Sequence, residues 1–424
     1  MAIDTRDQAG ITPVETPARP AVRLRWLDAL RGIAVLAVVY EHFGSYLIPD
    51  LKFATSQYAH AGTFGVMLFF LVSGYIVPAS IERRGSVRNF WIGRVFRLYP
   101  AFVITITIAV LLARFGPGWV PAAFDDQPAT TVLGHLTMLH EVAGVPNMQH
   151  QFWTLAYEMV FYLLVTVVFV FGVHRFSAEI AALLAGAAVA LGGLMPARLI
   201  ADDPLSLRNL VVVTALVLFA GVVAVSGKRR AVALGGAVLL GVFVLALLGV
   251  NQRAGGWEGF IILAVMFTGT ALYRAEQKQT TWVRAVLAVL AVVAAAIGSV
   301  YAHGDMWHMV GTARFPVERS WLGGLVLAFV FFAGGMMLRH RRVPAWLSWL
   351  GAVSYSVYLL HFVVIYLTKG WLVPQQDGAW WLRALLAAGY LALLLVLSYA
   401  SYRLVELPFQ SLGRRVVKRL PRSA

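Results

Sequence analysis

Apolar residues run along this chain in long blocks, each close to twenty residues, broken by short polar and basic stretches. A helix needs about 20 such residues to cross the hydrocarbon of a bilayer. The blocks predict about twelve helices, at 26–48, 62–82, 98–115, 152–173, 179–197, 208–226, 231–250, 257–274, 282–302, 321–338, 346–368 and 380–405. Regular short alternating segments are absent, which argues against an outer-membrane barrel. The expected fold class is all-α: a polytopic integral membrane helical bundle of ten to twelve transmembrane helices. Residues 1–22 are polar and contain prolines, the pattern of a disordered tail. Residues 23–409 form the expected membrane domain, and 410–424 a basic tail suited to anionic lipid.

Composition sharpens this picture. The chain of 424 residues is 60% hydrophobic and 13% charged, against roughly 25% charged in a soluble domain. Its net charge of +15 does not point to nucleic acid, because Lys and Arg sit in clusters between apolar runs. With both termini cytoplasmic, 25 of the 35 Lys and Arg fall on the inner side and nine on the outer, with Arg31 inside the first helix. Such asymmetry is the positive-inside bias. The chain has no cysteine, which excludes thiolate metal sites and a cysteine nucleophile.

The first helix carries Asp28, Arg31, Glu41 and His42 among apolar residues. Arg31 and His42 are eleven residues apart, so they share a face about 16 Å apart along the axis. Ionisable groups at such depth are costly and face a cavity, a partner or a pathway. Glu158 and His361 lie about as far from the outer ends of their own helices as His42 does. The three are therefore expected together, roughly 10 Å below the outer surface. A His beside a carboxylate in a sheltered cavity has the parts of a general base; an interhelical polar cluster would account for the same groups. The outer loop 116–151 holds His135, His140, Glu141 and His150, but a five-residue His spacing suits one helix face poorly, and no metal site is expected.

Arg94 and Arg97 stand three apart before an apolar run and, with Arg31, are placed to form a guanidinium cluster at the inner mouth. Guanidinium groups bind phosphate in a forked, bidentate way. A long donor with phosphates at one end and its reactive group at the other fits that separation, as a coenzyme A thioester does. A lipid phosphate fits too.

At these residues the chain resembles the acyltransferase-3 family of bacterial membrane O-acyltransferases. The resemblance rests on Leu27-Asp28-Ala-Leu-Arg31-Gly through His42-Phe43, on Phe69-Phe70-Leu-Val-Ser73-Gly74-Tyr75 and on Arg94-Val-Phe-Arg97-Leu-Tyr99-Pro100. It continues in Trp153-Thr-Leu-Ala-Tyr157-Glu158, in Gly351 through His361, and in Val405-Glu406-Leu-Pro408-Phe409. Glu41 and the pair Ala156-Tyr157 depart from the family's usual residues.

The resemblance implies transfer of an acyl group, commonly acetyl, from cytoplasmic acyl-CoA to a hydroxyl of a surface polysaccharide, glycolipid or related acceptor. It implies residence in a bacterial inner membrane, with membrane lipids as further partners. Acyl-CoA is then a donor substrate and not a resident cofactor, and no appended soluble hydrolase-like domain is expected. Arg31 and His42 match the family's essential pair, Arg94 and Arg97 its donor-binding arginines, and Glu158 its acidic residue. On this reading His42 is the base, oriented by Glu158 or Glu41, with Ser73 and Tyr75 donating to the oxyanion and His361 beside them. Arg31, Arg94, Arg97, Tyr99 and Asp28 form the donor side. The reading needs a passage linking residues 31, 94 and 97 to residue 42. A secondary transporter or acyl-group translocator is the alternative, and self-association is left open.

Overall fold

The computed structural model describes residues 24–251, 256–303, 307–310 and 313–420. The expected N-terminal tail lies outside them, as do the last four residues. The helices, in order, are α1 Arg25–Leu47, α2 Pro49–Ser56, α3 Ala61–Arg84, α4 Val87–Phe115, α5 Ala122–Asp126, α6 Pro128–Leu136, α7 Trp153–Phe171 and α8 Ser177–Leu191. They continue with α9 Pro204–Ser226, α10 Arg230–Val250, α11 Gly256–Glu276, α12 Trp282–His303, α13 Val317–Met337, α14 Ala345–Leu372, α15 Trp380–Ser401 and α16 Leu407–Arg419. A short antiparallel pair, β1 Trp307–Val310 and β2 Ala313–Pro316, joins α12 to α13.

Eleven segments among the described residues are long and apolar enough to cross a membrane. The first helix falls outside that count: Arg31, Glu41 and His42 dilute an otherwise apolar run. It is nonetheless among the best enclosed, packing along α3 and α14. Enclosure divides the bundle. In α14, α11 and α3, 89%, 83% and 72% of the most apolar window is enclosed, against 28% in α9. Helices α1, α3, α7, α11 and α14 thus form a centre that can shelter polar groups, while α9 and its like turn apolar surface outward.

Two crossings in this centre need glycine. A Cβ on Gly351 of α14 would stand 1.8 Å from the Asp28 carbonyl oxygen of α1, and one on Gly74 of α3 would stand 1.9 Å from the Met266 carbonyl of α11. Close backbone approach of this kind replaces the hydrophobic drive that lipid does not supply. At the basic end Arg274 of α11 pairs with Glu82 of α3 at 2.5 Å and donates to Ser177 of α8 and Gln279. Its buried charge is therefore compensated.

Three elements add detail to the expected spans. The span expected from 98 begins earlier, at Val87, so Arg94 and Arg97 ride on α4 itself. The basic tail is the amphipathic α16, whose Gly413 rests on Phe96. Most consequential, the second half of the 116–151 loop folds inward, while Trp119, Asp125, Asp126 and Val132 in its first half stay exposed. Met138, Leu139, Val142, Ala143, Val145 and Met148 are all fully buried within the bundle. Paired histidines hold its folded shape. His135 and His140 stack at 4.3 Å; the His135 ring takes up the Thr131 carbonyl and the Met148 amide, and His140 the Phe152 carbonyl.

Candidate active site

The inward fold of 138–149 sets the level at which α7 starts. A turn of 3-10 helix, His150–Phe152, leads into it, with Gln151 and Phe152 buried and His150 exposed. Gln151 there donates to the Leu359 carbonyl, and Thr154 meets the Tyr358 hydroxyl at 2.6 Å. The start of α7 is therefore level with the outer part of α14, and Glu158 lies one further turn inward.

Three imidazoles gather at that level. His42 stacks on His361 with ring centroids 5.3 Å apart, meets His150 edge-on at 5.7 Å, and has Phe362 at 4.7 Å. The His42 ring thus faces α14 and the entry to α7, not lipid. His361 is fully buried; its Nδ1–H donates to the Tyr358 carbonyl at 2.6 Å, and its Nε2 has no hydrogen-bond partner among the described residues. A neutral ring held so presents a lone pair at Nε2. His150 is exposed, and nothing in its sequence neighbourhood signals that its ring meets His42.

Below them lies a cavity of about 90 Å³, lined on its polar side by Arg31, Ser73, Arg94, Arg97, Thr154, Glu158 and Tyr358. Arg94 is buried, its guanidinium stacked over the rings of Tyr162 at 4.7 Å and Phe90 at 5.1 Å. It also donates to the Tyr162 hydroxyl at 3.4 Å, and that hydroxyl in turn donates to Glu158. The arginines do not stand as bare positive charge. The carboxylates of Asp28, Glu158 and Glu406 act on Arg31, and Glu406 on Arg97 as well. Glu406, held by Ser356 at 2.6 Å, belongs to a π-helical turn, Tyr402–Glu406. Such turns gather at functional sites. The sequence showed the Val-Glu-Leu-Pro segment without assigning Glu406 to the site.

Several expected members stand elsewhere. Glu158 keeps company with the arginines and not with His42, because α7 starts deep. Glu41 is clamped by Lys52 at 2.6 Å, His60 at 3.2 Å and the Gly62 amide at 3.2 Å; it ties α1 to α2 and α3 and does not orient His42. Tyr75 is two residues beyond Ser73, about 200° around the helix, and packs against Trp26, Tyr273 and Phe332. Tyr99 is turned from Arg97 by the same angle, and its hydroxyl donates to the Leu136 carbonyl at 2.9 Å. Asp28 sits one turn below Arg31, outside the cavity lining.

The passage to His42 is interrupted. The cavity's outer lining ends at Val66, Phe69, Thr154 and Tyr358. Tyr358 is tied by its hydroxyl to Thr154 and to the Gln151 carbonyl at 2.8 Å, with its ring 6.0 Å from Phe69 and 5.7 Å from His361. One aromatic layer therefore separates the arginine cavity from the histidines.

Comparison with known proteins bears on this arrangement. A family profile described as an acyltransferase domain matches residues 24–403. The chain is 30% identical over 152 residues to a peptidoglycan O-acetyltransferase, OatA, of Listeria monocytogenes, covering 32% of this chain and 23% of that protein. It is 29% identical over 151 residues to the acyltransferase MdmB of Streptomyces mycarofaciens, covering 34% and 38% of the two chains. It is 25% identical over 189 residues to the O-acetyltransferase OatA of Staphylococcus aureus, covering 41% and 28%. The matched parts span well under half the length of these relatives. No solved structure matches the chain. The profile covers nearly all of the helical bundle, with both the arginine cavity and the three histidines inside the matched span: this chain belongs to the acyltransferase-3 family.

Proposed function

We propose that this protein is a membrane-embedded O-acetyltransferase. It moves an acyl group, acetyl in the first instance, from cytoplasmic acyl-CoA to a hydroxyl of a cell-surface glycan or glycolipid. One observation carries the reading: α1, α3 and α14 each pass, from the basic end outward, through the arginine cavity and on toward the histidine cluster. Arg31 precedes His42 on α1, and Ser354 and Tyr358 precede His361 on α14. The basic end is cytoplasmic by the charge bias, and an even number of crossings brings both termini to it. The printed name of the Listeria relative supports a glycan acceptor.

In the reaction, His42 takes the proton of the acceptor hydroxyl as its oxygen attacks the thioester carbonyl. The carbon–sulfur bond breaks, and the CoA thiolate leaves with the proton returned by the imidazolium. No carboxylate among the described residues is bonded to that ring; Glu41, its neighbour in sequence, is engaged with Lys52 and His60. Ser73 is one of the hydroxyls on the cavity wall, with Thr154 and Tyr358. Contact between thioester and His42 requires Tyr358 and Phe69 to turn aside.

The test is mass spectrometry of surface glycans and lipids from cells with and without the gene, together with turnover by the purified protein. The expected result is loss of one acyl mass increment, and a rate that falls at least about a hundredfold in His42→Ala. Near-normal turnover in that variant removes the mechanism. Uptake or export of an intact solute without consumption of acyl-CoA decides for a transporter.

A further inference from the structure

A second and larger cavity, of about 890 Å³, opens at the basic end between the start of α1, the ends of α3 and α11, and the 339–343 linker. Arg25, Arg83, Arg339, Arg341 and Arg342 line it, and Glu276 is the only carboxylate among its described lining residues. Glu276 is already taken by Arg339 at 2.8 Å. Four guanidinium groups are left facing one space, where like charges repel unless an anion joins them. The deep cluster of Arg31, Arg94 and Arg97 differs, because Asp28, Glu158 and Glu406 act on it. Among the described residues, the positive charge of this region that no carboxylate offsets is in the vestibule.

The two cavities adjoin. Ile76 lines both, and α3 passes from the vestibule at Arg83 to the arginine cavity at Ser73. Those ten residues cover about 15 Å. A half-buried aromatic, Tyr273, stands on the vestibule wall with Tyr75 edge-on behind it at 5.3 Å. Guanidinium groups, an aromatic face and a narrow exit suit a nucleotide with a long arm. A phosphomonoester carries nearly two negative charges at pH 7, and a diphosphate adds one for each of its phosphates.

We infer that this vestibule seats the nucleotide of the donor: Arg83, Arg341 and Arg342 bind its phosphates, Tyr273 stacks on the base, and the acyl-bearing arm passes Ile76 toward Arg31. The assignment rests on acyl-CoA being the donor. It moves the phosphates from the deep arginines, where the sequence had put them, to the mouth.

The experiment measures binding of CoA, 3′-dephospho-CoA and S-acetylpantetheine to the full chain in nanodiscs, by isothermal titration calorimetry. Wild type is expected to bind CoA tighter than dephospho-CoA. The double variant Arg341→Ala/Arg342→Ala, on an exposed linker, is expected to weaken CoA tenfold or more, to lose the preference for the 3′-phosphate, and to bind S-acetylpantetheine within twofold of wild type. Arg83→Ala is a second, independent variant with the same expected loss. If wild type binds CoA and both variants bind it equally well, the vestibule assignment is overturned and the donor reading stands. If wild type binds no form of CoA, both fall. Nanodiscs of phosphatidylcholine, with and without phosphatidylglycerol, separate a lipid headgroup from a nucleotide. Phosphatidylglycerol retained by wild type in native mass spectra, lost in the double variant and competing with CoA, assigns the vestibule to lipid and overturns the proposal.

Discussion

His42 has the environment of a reactive imidazole. Its ring touches two other imidazoles and a phenyl ring, and no hydrogen bond to the described residues fixes its protonation. Glu41, its neighbour in sequence, is about 100° away on the helix and engaged with Lys52 and His60. Glu41→Gln is therefore expected to loosen the α1–α2–α3 contact, with a lower melting temperature, and to leave the pH profile of turnover in place. A shifted pH profile would instead make Glu41 a partner of His42. Tyr358 is the residue between the two halves of the site. In Tyr358→Phe the ring stays and its bonds to Thr154 and the Gln151 carbonyl are lost, a net cost of about 1 kcal/mol for a bond of this kind. The looser layer is expected to let donor reach His42 without acceptor, seen as several-fold faster release of free CoA thiol to water. An unchanged rate would place the barrier elsewhere. Arg94→Lys is not conservative here, because the stacking over Tyr162 and Phe90 needs a planar cation. Its donor KM is expected to rise severalfold.

At the scale of elements, helix existence was legible and facing was not. Each long apolar block became a helix because a backbone in hydrocarbon must satisfy its own hydrogen bonds. Arg94 and Arg97 could be read as sharing a face, since three residues bring them round together. The same arithmetic, applied to Ser73 with Tyr75 and to Arg97 with Tyr99, would have separated those pairs. The second half of the outer loop 116–151 folds inward, which the spacing of the spans alone does not show. Its apolar residues at 139, 142, 145 and 148 were the available signal, and they are all buried. Counting residues from the outer end of each span set Glu158 level with His42, whereas it lines the arginine cavity with Arg31, Arg94 and Arg97. The close crossing of α1 and α14 gives a test at this scale. A side chain on Gly351 meets the Asp28 carbonyl at 1.8 Å, so Gly351→Val must part the two helices that carry Arg31, His42, Tyr358 and His361. Overpacking costs about 1–3 kcal/mol, occasionally more. A marked fall in melting temperature and loss of turnover are expected together, and a stable, active variant would contradict the packing.

The whole molecule is a set of enclosed helices with apolar helices around them, and its orientation is open to direct measurement. Because the chain has no cysteine, single introduced thiols report sidedness without background. A cysteine at Ser56, after α2, is expected to react with an impermeant maleimide in intact cells. One at Ser226, at the end of α9, is expected to react only after permeabilisation. The reverse pattern would invert the topology and place the vestibule on the wrong side for a cytoplasmic donor.

The sequence by itself determined the number and approximate extent of the spans, the basic side of the bundle and the short set of ionisable residues inside it. These are local properties, set by run length, by charge near the span ends and by the expense of burying charge. The tertiary structure alone decided that Glu158 and Glu406 face the arginines, that His150 and His361 face His42, and that Tyr358 stands between the two groups. Those facts depend on the rotation and depth of each helix against its neighbours. Neither is encoded within a single segment; both come from how side chains hundreds of residues apart fill the same space.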